Sequence, residues 1–156
     1  MQSFPPTFIL RHRRENLKKC SLSGLEDRKD IEFFTYPTSK LPDLSQHILL
    51  VMEGASELTC DDGKMGLFIL DSTWRYLDKM VKFVEEKGEL QKRTLPPIFK
   101  TAYPRRQEDC IDPERGLSSV EALYIAYSIL NRERDGLLNH YYWKEQFLQI
   151  NANLLR

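Results

Sequence analysis

The sequence predicts an α/β domain, and three features predict it. Apolar runs of strand length fill the first half, and two of them lack polar alternation. An amphipathic stretch follows the last run directly, and the second half brings a capped helix and an aromatic-rich terminal segment. With 156 residues, 41% of them apolar and 29% charged, residues 1–156 read as a single packed domain rather than as two full-sized ones or a disordered chain.

The elements follow in order. Thr7–Leu10, Ile31–Tyr36, Ile48–Met52 and Leu67–Leu70 read as strands, the last two as strands buried on both faces. From Thr73 to Lys87 the spacing of Trp74, Leu77, Met80, Val81 and Val84 marks one face of a helix, with Gly88 as its stop. Ser118-Ser119-Val120-Glu121 has the form of a capping box, with Ser118 as N-cap and Glu121 as its reciprocal partner. It opens a helix carrying Val120, Leu123, Tyr124, Tyr127 and Leu130, which Gly136 is expected to end. A final helix is expected over Leu137–Leu155, through Leu138, Tyr141, Tyr142, Phe147, Leu148 and Leu154. Pro37–Pro42 and Ala102–Gly116 read as loops.

Several function classes are disfavoured. The longest apolar stretches span four or five residues, far short of a membrane span. Residues 1–6 carry no basic n-region, and Phe8-Ile9-Leu10 runs into Arg11-His12-Arg13-Arg14 rather than into a small-residue cleavage site. Cys20, Cys60 and Cys110 are odd in number and never form CxxC, which argues against a disulfide framework and a zinc finger. His12, His47 and His140 lack ligand spacing, so no metal is expected. A cytoplasmic protein is the expectation.

Charge balances at 23 bases and 23 acids but is unevenly placed. Residues 11–19 hold five Arg or Lys against the single acid Glu15, and residues 90–107 hold five bases and no acid. Such segregation can build a positive face on a neutral molecule, the footprint of a phosphate-binding protein, although solvated surface charge gives the same pattern.

In open α/β sheets ligands bind beyond the carboxyl ends of the strands. That rule points to Asp71, after the Leu67–Leu70 strand, and to Ser118 at a helix start. Leu70-Asp71-Ser72-Thr73-Trp74 places a carboxylate, hydroxyls and a large aromatic in one turn, parts suited to an aromatic cofactor and to proton removal. The same residues also fit a helix cap and a core tryptophan.

Read together, Asp71-Ser72-Thr73-Trp74, Leu95-Pro96 and Ser118-Ser119-Val120-Glu121-Ala122 resemble the aminocarboxypropyltransferase superfamily, which includes the DTW-domain tRNA-uridine enzymes and the small-subunit rRNA enzymes. The first segment is similar to the DTW signature. His12, Glu15 and Lys18 are similar to the DTW enzymes' His-Pro-x-Glu-x-x-Lys pattern, and Lys18-Lys19-Cys20-Ser21 to the Lys-Lys-Cys-Ser/Thr of the rRNA enzymes. Leu58-Thr59-Cys60-Asp61 resembles the Leu-Ser-x-x-Asp stretch preceding their acidic-x-Ser-Trp motif. Arg13 stands where the DTW pattern has proline, and Tyr103-Pro104-Arg105-Arg106-Gln107 where the rRNA enzymes have Asn-Pro-x-Asn-Tyr. The likeness covers most of residues 8–130, in order.

The resemblance implies a SPOUT-like sheet flanked by helices, with a trefoil-knotted site for S-adenosylmethionine. Residues 1–45 would form an N-terminal substrate-binding part and 46–156 the cofactor-binding core. The reaction implied is transfer of the 3-amino-3-carboxypropyl group to N3 of a uridine or pseudouridine in tRNA or rRNA. A SPOUT RNA methyltransferase and a non-catalytic RNA-binding or ribosome-assembly protein are the alternatives. By resemblance, Asp71 is the candidate general base, and Cys20, Ser21, Thr73, Trp74, Leu95, Ser118 and Ser119 are candidate cofactor contacts. Arg11, Arg13, Arg14, Lys18, Lys19, Lys100, Arg105 and Arg106 are candidates for holding RNA phosphates.

Overall fold

A computed structural model describes residues 4–14, 21–37, 40–72, 74–104 and 116–155. Its centre is a five-stranded, wholly parallel sheet: β1 (Thr7–His12), β2 (Ile31–Tyr36), β3 (His47–Leu50), β4 (Gly66–Asp71) and β5 (Gln91–Arg93), in the order β2-β1-β4-β3-β5. Helices α1 (Trp74–Glu85), α2 (Ser119–Ile129) and α3 (Lys144–Ile150) flank it.

The missing polar alternation in the strands has a direct cause. Ile9, Ile48, Leu67 and Ile69 face one core with Val120, Leu123 and Tyr127 of α2 and Phe147 of α3. Their neighbours Phe8, Leu10, Leu49, Phe68 and Leu70 face a second core with Met80 and Val84 of α1. A central parallel strand covered on both sides buries every residue, as β1 and β4 do. β2 matches the expected span, whereas β1 and β4 extend beyond their apolar runs and β3 ends at Leu50.

The second half departs from expectation in three ways. β5 has no apolar residue and forms an edge strand by pairing with β3, Ile48 opposite Gln91 and Leu50 opposite Arg93. The Ser118 capping box is present as expected, but α2 ends at Ile129, where Asn131 takes a left-handed conformation (φ 57°), and not at Gly136. The final helix is confined to Lys144–Ile150, and residues 137–143 bury Leu137, Leu138 and Tyr141 through turns. No helix among the described residues is long and apolar enough to cross a membrane.

At the amino edge of the sheet, His47 is buried, stacks on Phe8 at 4.0 Å between ring centroids and bonds through Nε2 to the Pro6 carbonyl at 2.8 Å. Burial holds its pKa below the usual imidazole value. Gly66 makes this packing feasible, because a Cβ there would lie 2.4 Å from His47 Nε2. Gly66→Ala must displace a fully packed ring, and a loss of about 1–3 kcal/mol is expected in urea denaturation. Stability within about 0.5 kcal/mol of the parent would show that the ring moves freely.

Candidate functional site

A cleft of about 430 Å³ opens at the carboxyl ends of β3, β4 and β5. The chain leaving β3 lines it from Leu50 to Gly54, and Leu70 and Ser72 line it from the end of β4. Leu77, Asp78 and Val81 of α1 form one wall, Leu95-Pro96-Pro97 and Phe99 after β5 another, and Gly116 to Ser119 with Ala122 at the start of α2 a third. The walls are largely apolar, while the α2 end supplies hydroxyls and backbone N–H groups.

The first turn of α2 is held from several directions. Ser118 is buried, and its Oγ accepts from the Glu121 N–H at 3.4 Å. Ser21 Oγ accepts from the Val120 N–H at 3.1 Å, so the segment after β1 reaches this helix start. Ser119 Oγ donates to Asp71 Oδ1 at 2.8 Å. With the next two amides taken by serine oxygens, the Ser119 N–H is the amide of that turn with no acceptor among the described residues. A free N–H at a helix start favours an anion.

Two buried carboxylates organise this edge. Glu121 is fully buried: Oε1 accepts from the Ser118 N–H (2.8 Å) and Thr101 Oγ1 (2.6 Å), and Oε2 from the Ala102 N–H (2.8 Å) and the Tyr141 hydroxyl (2.9 Å). Burial and the adjacent Glu121 push the Tyr141 phenol well above its ordinary value, so it stays a donor. Asp71, the last residue of β4, is 4% exposed; Oδ2 faces Arg11 Nε at 3.2 Å while Oδ1 takes the Ser119 hydroxyl. Arg11 lies opposite Asp71 in the register of β1 and β4, also contacts Glu26 Oε2 at 3.3 Å, and packs its guanidinium over the Phe33 ring at 4.5 Å.

Asp71, Ser21, Leu95, Ser118 and Ser119, far apart in sequence, therefore converge at one edge of the sheet. Leu95, Ser118 and Ser119 line the cleft, whereas Asp71 stands behind Ser119. Trp74 opens α1 at the same edge. Cys20, Thr73, Lys18, Lys19, Arg105 and Arg106 lie outside the described residues. Arg11, expected at the RNA surface, is instead 8% exposed, ion-paired to Asp71 and packed on Phe33. Arg13, Arg14 and Lys100 are exposed as a contact surface requires, with the Lys100 backbone clasped by the Asn151 side chain.

Sequence reasoning missed the Val51–Gly54 wall, although the rule of ligands beyond strand carboxyl ends applies to β3 as it does to β4. It also took Glu121 as a cap alone, because the bonds to Thr101, Ala102 and Tyr141 come from other parts of the chain. Among the described residues no group of three or more His, Cys, Asp or Glu is placed to hold a metal.

Comparison with known proteins adds three findings. No curated protein matches the chain. Among solved structures, it is similar in fold to the SAM-dependent rRNA:acp-transferase Tsr3 from Vulcanisaeta distributa, with 23% identity and a TM-score of 0.71 over 97% of this chain and 81% of that one. Residues 48–156, well over half of the length, match a protein family, and the chain thereby belongs to the family described as ribosome biogenesis protein, C-terminal.

Proposed function

We propose that this protein transfers the 3-amino-3-carboxypropyl group of S-adenosylmethionine to N3 of a uridine or pseudouridine in ribosomal RNA. The observation that carries the reading is the cleft itself, a largely apolar slot bounded by Leu95-Pro96-Pro97 and closed by a helix N-terminus. Its volume lies in the usual range of small-molecule sites, and its polar end matches a carboxylate, so the residues present fit a nucleoside that carries an amino acid. Family membership in ribosome biogenesis and the fold shared with an rRNA:acp-transferase support rRNA over tRNA as substrate. The SPOUT-like, knotted cofactor loop belongs to the same proposal, supported by a cleft built from three chain segments that converge after separate strands. So do a cytoplasmic location and a substrate-presenting role for residues 1–45.

S-adenosylmethionine supplies a sulfonium, already a good leaving group, with three carbons open to displacement. The protein's task is then alignment, since the carbon held in line with the nucleophile is the one transferred. Leu95 and its two prolines form an apolar rim for the adenosine, with Trp74 assigned beside it by resemblance. The Ser119 N–H holds the methionyl carboxylate, and Ser21 and Ser118 keep that helix turn in place. Asp71 is assigned to positioning rather than to proton abstraction, because Arg11 and Ser119 already occupy its two oxygens behind the cleft; the N3 proton would pass to solvent water as the N3–C bond forms and the S–C bond breaks to release methylthioadenosine.

Incubating the protein with small-subunit rRNA and S-adenosylmethionine labelled either in the methyl carbon or in the carboxypropyl carbons tests the reading. The carboxypropyl label is expected in the RNA. Transfer of the methyl label instead would make the protein a methyltransferase, and transfer of neither would leave an RNA-binding or assembly protein.

A further inference from the structure

The end of β1 carries an aromatic arrangement that the cleft does not use. The His12 imidazole lies flat on the Tyr76 ring, centroids 4.0 Å apart and planes within 16°. His12 is buried, and its Nδ1 accepts the Arg14 N–H at 3.0 Å. Burial and the adjacent Arg13 and Arg14 hold the imidazole below its ordinary pKa, so the stack does not depend on a charged histidine. Tyr76, in the first turn of α1, is only half-buried, and the positive charge of Arg14 and Arg75 draws its phenol below the usual value.

Arg13, Arg14 and Arg75 are exposed, and none has an ion-pair partner among the described residues. Arg14 and Arg75 act on Tyr76 while Arg13 and Arg14 act on the stacked His12, and cations brought together in this way repel one another unless an anion joins them. An aromatic face bordered by unpaired guanidiniums is how proteins hold single-stranded nucleic acid: the ring stacks a base and the cations take the phosphates beside it. The location fits. His12 follows Arg11, whose partner Asp71 anchors Ser119 in the cleft wall. α1 turns Leu77 and Val81 to the cleft and Tyr76 to His12.

We propose that Tyr76, backed by His12 and flanked by Arg13, Arg14 and Arg75, is a stacking shelf for an unpaired RNA base next to the nucleotide presented to the cleft. The proposal rests on the RNA-modifying reading above and adds where, and in what form, the RNA is held. A stacked neighbour fixes the register of the strand, so the shelf would favour a single-stranded loop over a duplex.

Binding of a fluorescent single-stranded oligouridylate, followed by anisotropy, tests it. Tyr76→Ala is expected to weaken binding about tenfold at constant salt, with an unchanged salt dependence. Tyr76→Phe keeps the ring and should stay within about twofold of the parent, which also guards against a folding defect in the alanine variant. Arg14→Ala with Arg75→Ala should flatten the salt dependence instead. Oligouridylate binding unchanged by Tyr76→Ala, or weakened equally by Tyr76→Phe, overturns the shelf. S-adenosylmethionine uptake, measured by calorimetry, should be the same in every variant. Its absence from the parent protein would overturn the enzymatic reading and leave the shelf to be judged on RNA binding alone.

Discussion

Glu121→Gln is expected to lower stability by about 3 kcal/mol and the melting temperature by roughly 6–12 °C. The reason is the symmetry of the carboxylate's surroundings. Each oxygen takes one backbone N–H and one hydroxyl: Ser118 N–H and Thr101 on Oε1, Ala102 N–H and Tyr141 on Oε2. A hydroxyl can rotate and accept from a new amide, but a backbone N–H cannot. Whichever way the glutamine is turned, one backbone donor meets an NH₂ group in a fully buried site. The loss should reach beyond stability, because those donors tie residues 101–102, the turn holding Tyr141 and the start of α2 into one wall of the cleft. Urea denaturation checks the first effect and calorimetric titration of S-adenosylmethionine the second. A change below about 1 kcal/mol would show that Glu121 is no more than the helix cap its sequence position suggests.

The parts of the fold legible in the sequence are those that one local pattern determines. The apolar runs of β3 and β4 are unbroken because both faces of the sheet are covered there, and the Ser118 cap needs only four consecutive residues. What escaped depends on distant partners. Gln91-Lys92-Arg93 becomes a strand because β3 offers it an open edge, and nothing in three polar residues announces that. Residues 137–143 have apolar positions at helical spacing, but the chain closes separate turns there, Leu137 N–H to the Arg134 carbonyl, Asn139 to Gly136 and Tyr141 to Leu138, after a segment whose Glu133 and Asp135 carbonyls accept from Arg28. Arg11 belongs to a basic run, and only its register opposite Asp71 reveals that it points inward. At the site, the hydroxyls of the Ser118-Ser119 start could be placed by pattern, and Leu95-Pro96 by resemblance to a family motif. Asp71 could be located, but the general-base role expected of it took no account of Arg11, sixty residues earlier, which faces its carboxylate.

That pair carries the other large effect. Asp71 and Arg11 side chains are 6% and 10% exposed, so removing one partner strands a charge away from water. Asp71→Ala is expected to cost about 3 kcal/mol, even though Arg11 keeps the half-exposed Glu26 as a second partner. Arg11→Met with Asp71→Ala leaves no stranded arginine and should be less destabilised than the sum of the two single changes by at least about 1.5 kcal/mol. Strict additivity in denaturation would mean that the two groups do not share their energy. Stability recovered in the double variant should not restore function, because Ser119 loses the acceptor that orients it. A hydrogen bond to a charged group is worth about 1.5 kcal/mol or more, so the KM for S-adenosylmethionine should rise about tenfold while kcat falls far less. The general-base role makes the opposite demand, a collapsed kcat at unaltered KM, since a base acts on the RNA proton and not on the bound nucleoside. The two kinetic constants of Asp71→Asn, which keeps the side chain's shape and an acceptor for Ser119, therefore separate the roles: a nearly intact enzyme makes Asp71 the anchor of the cleft wall, and a dead one with normal KM makes it the base.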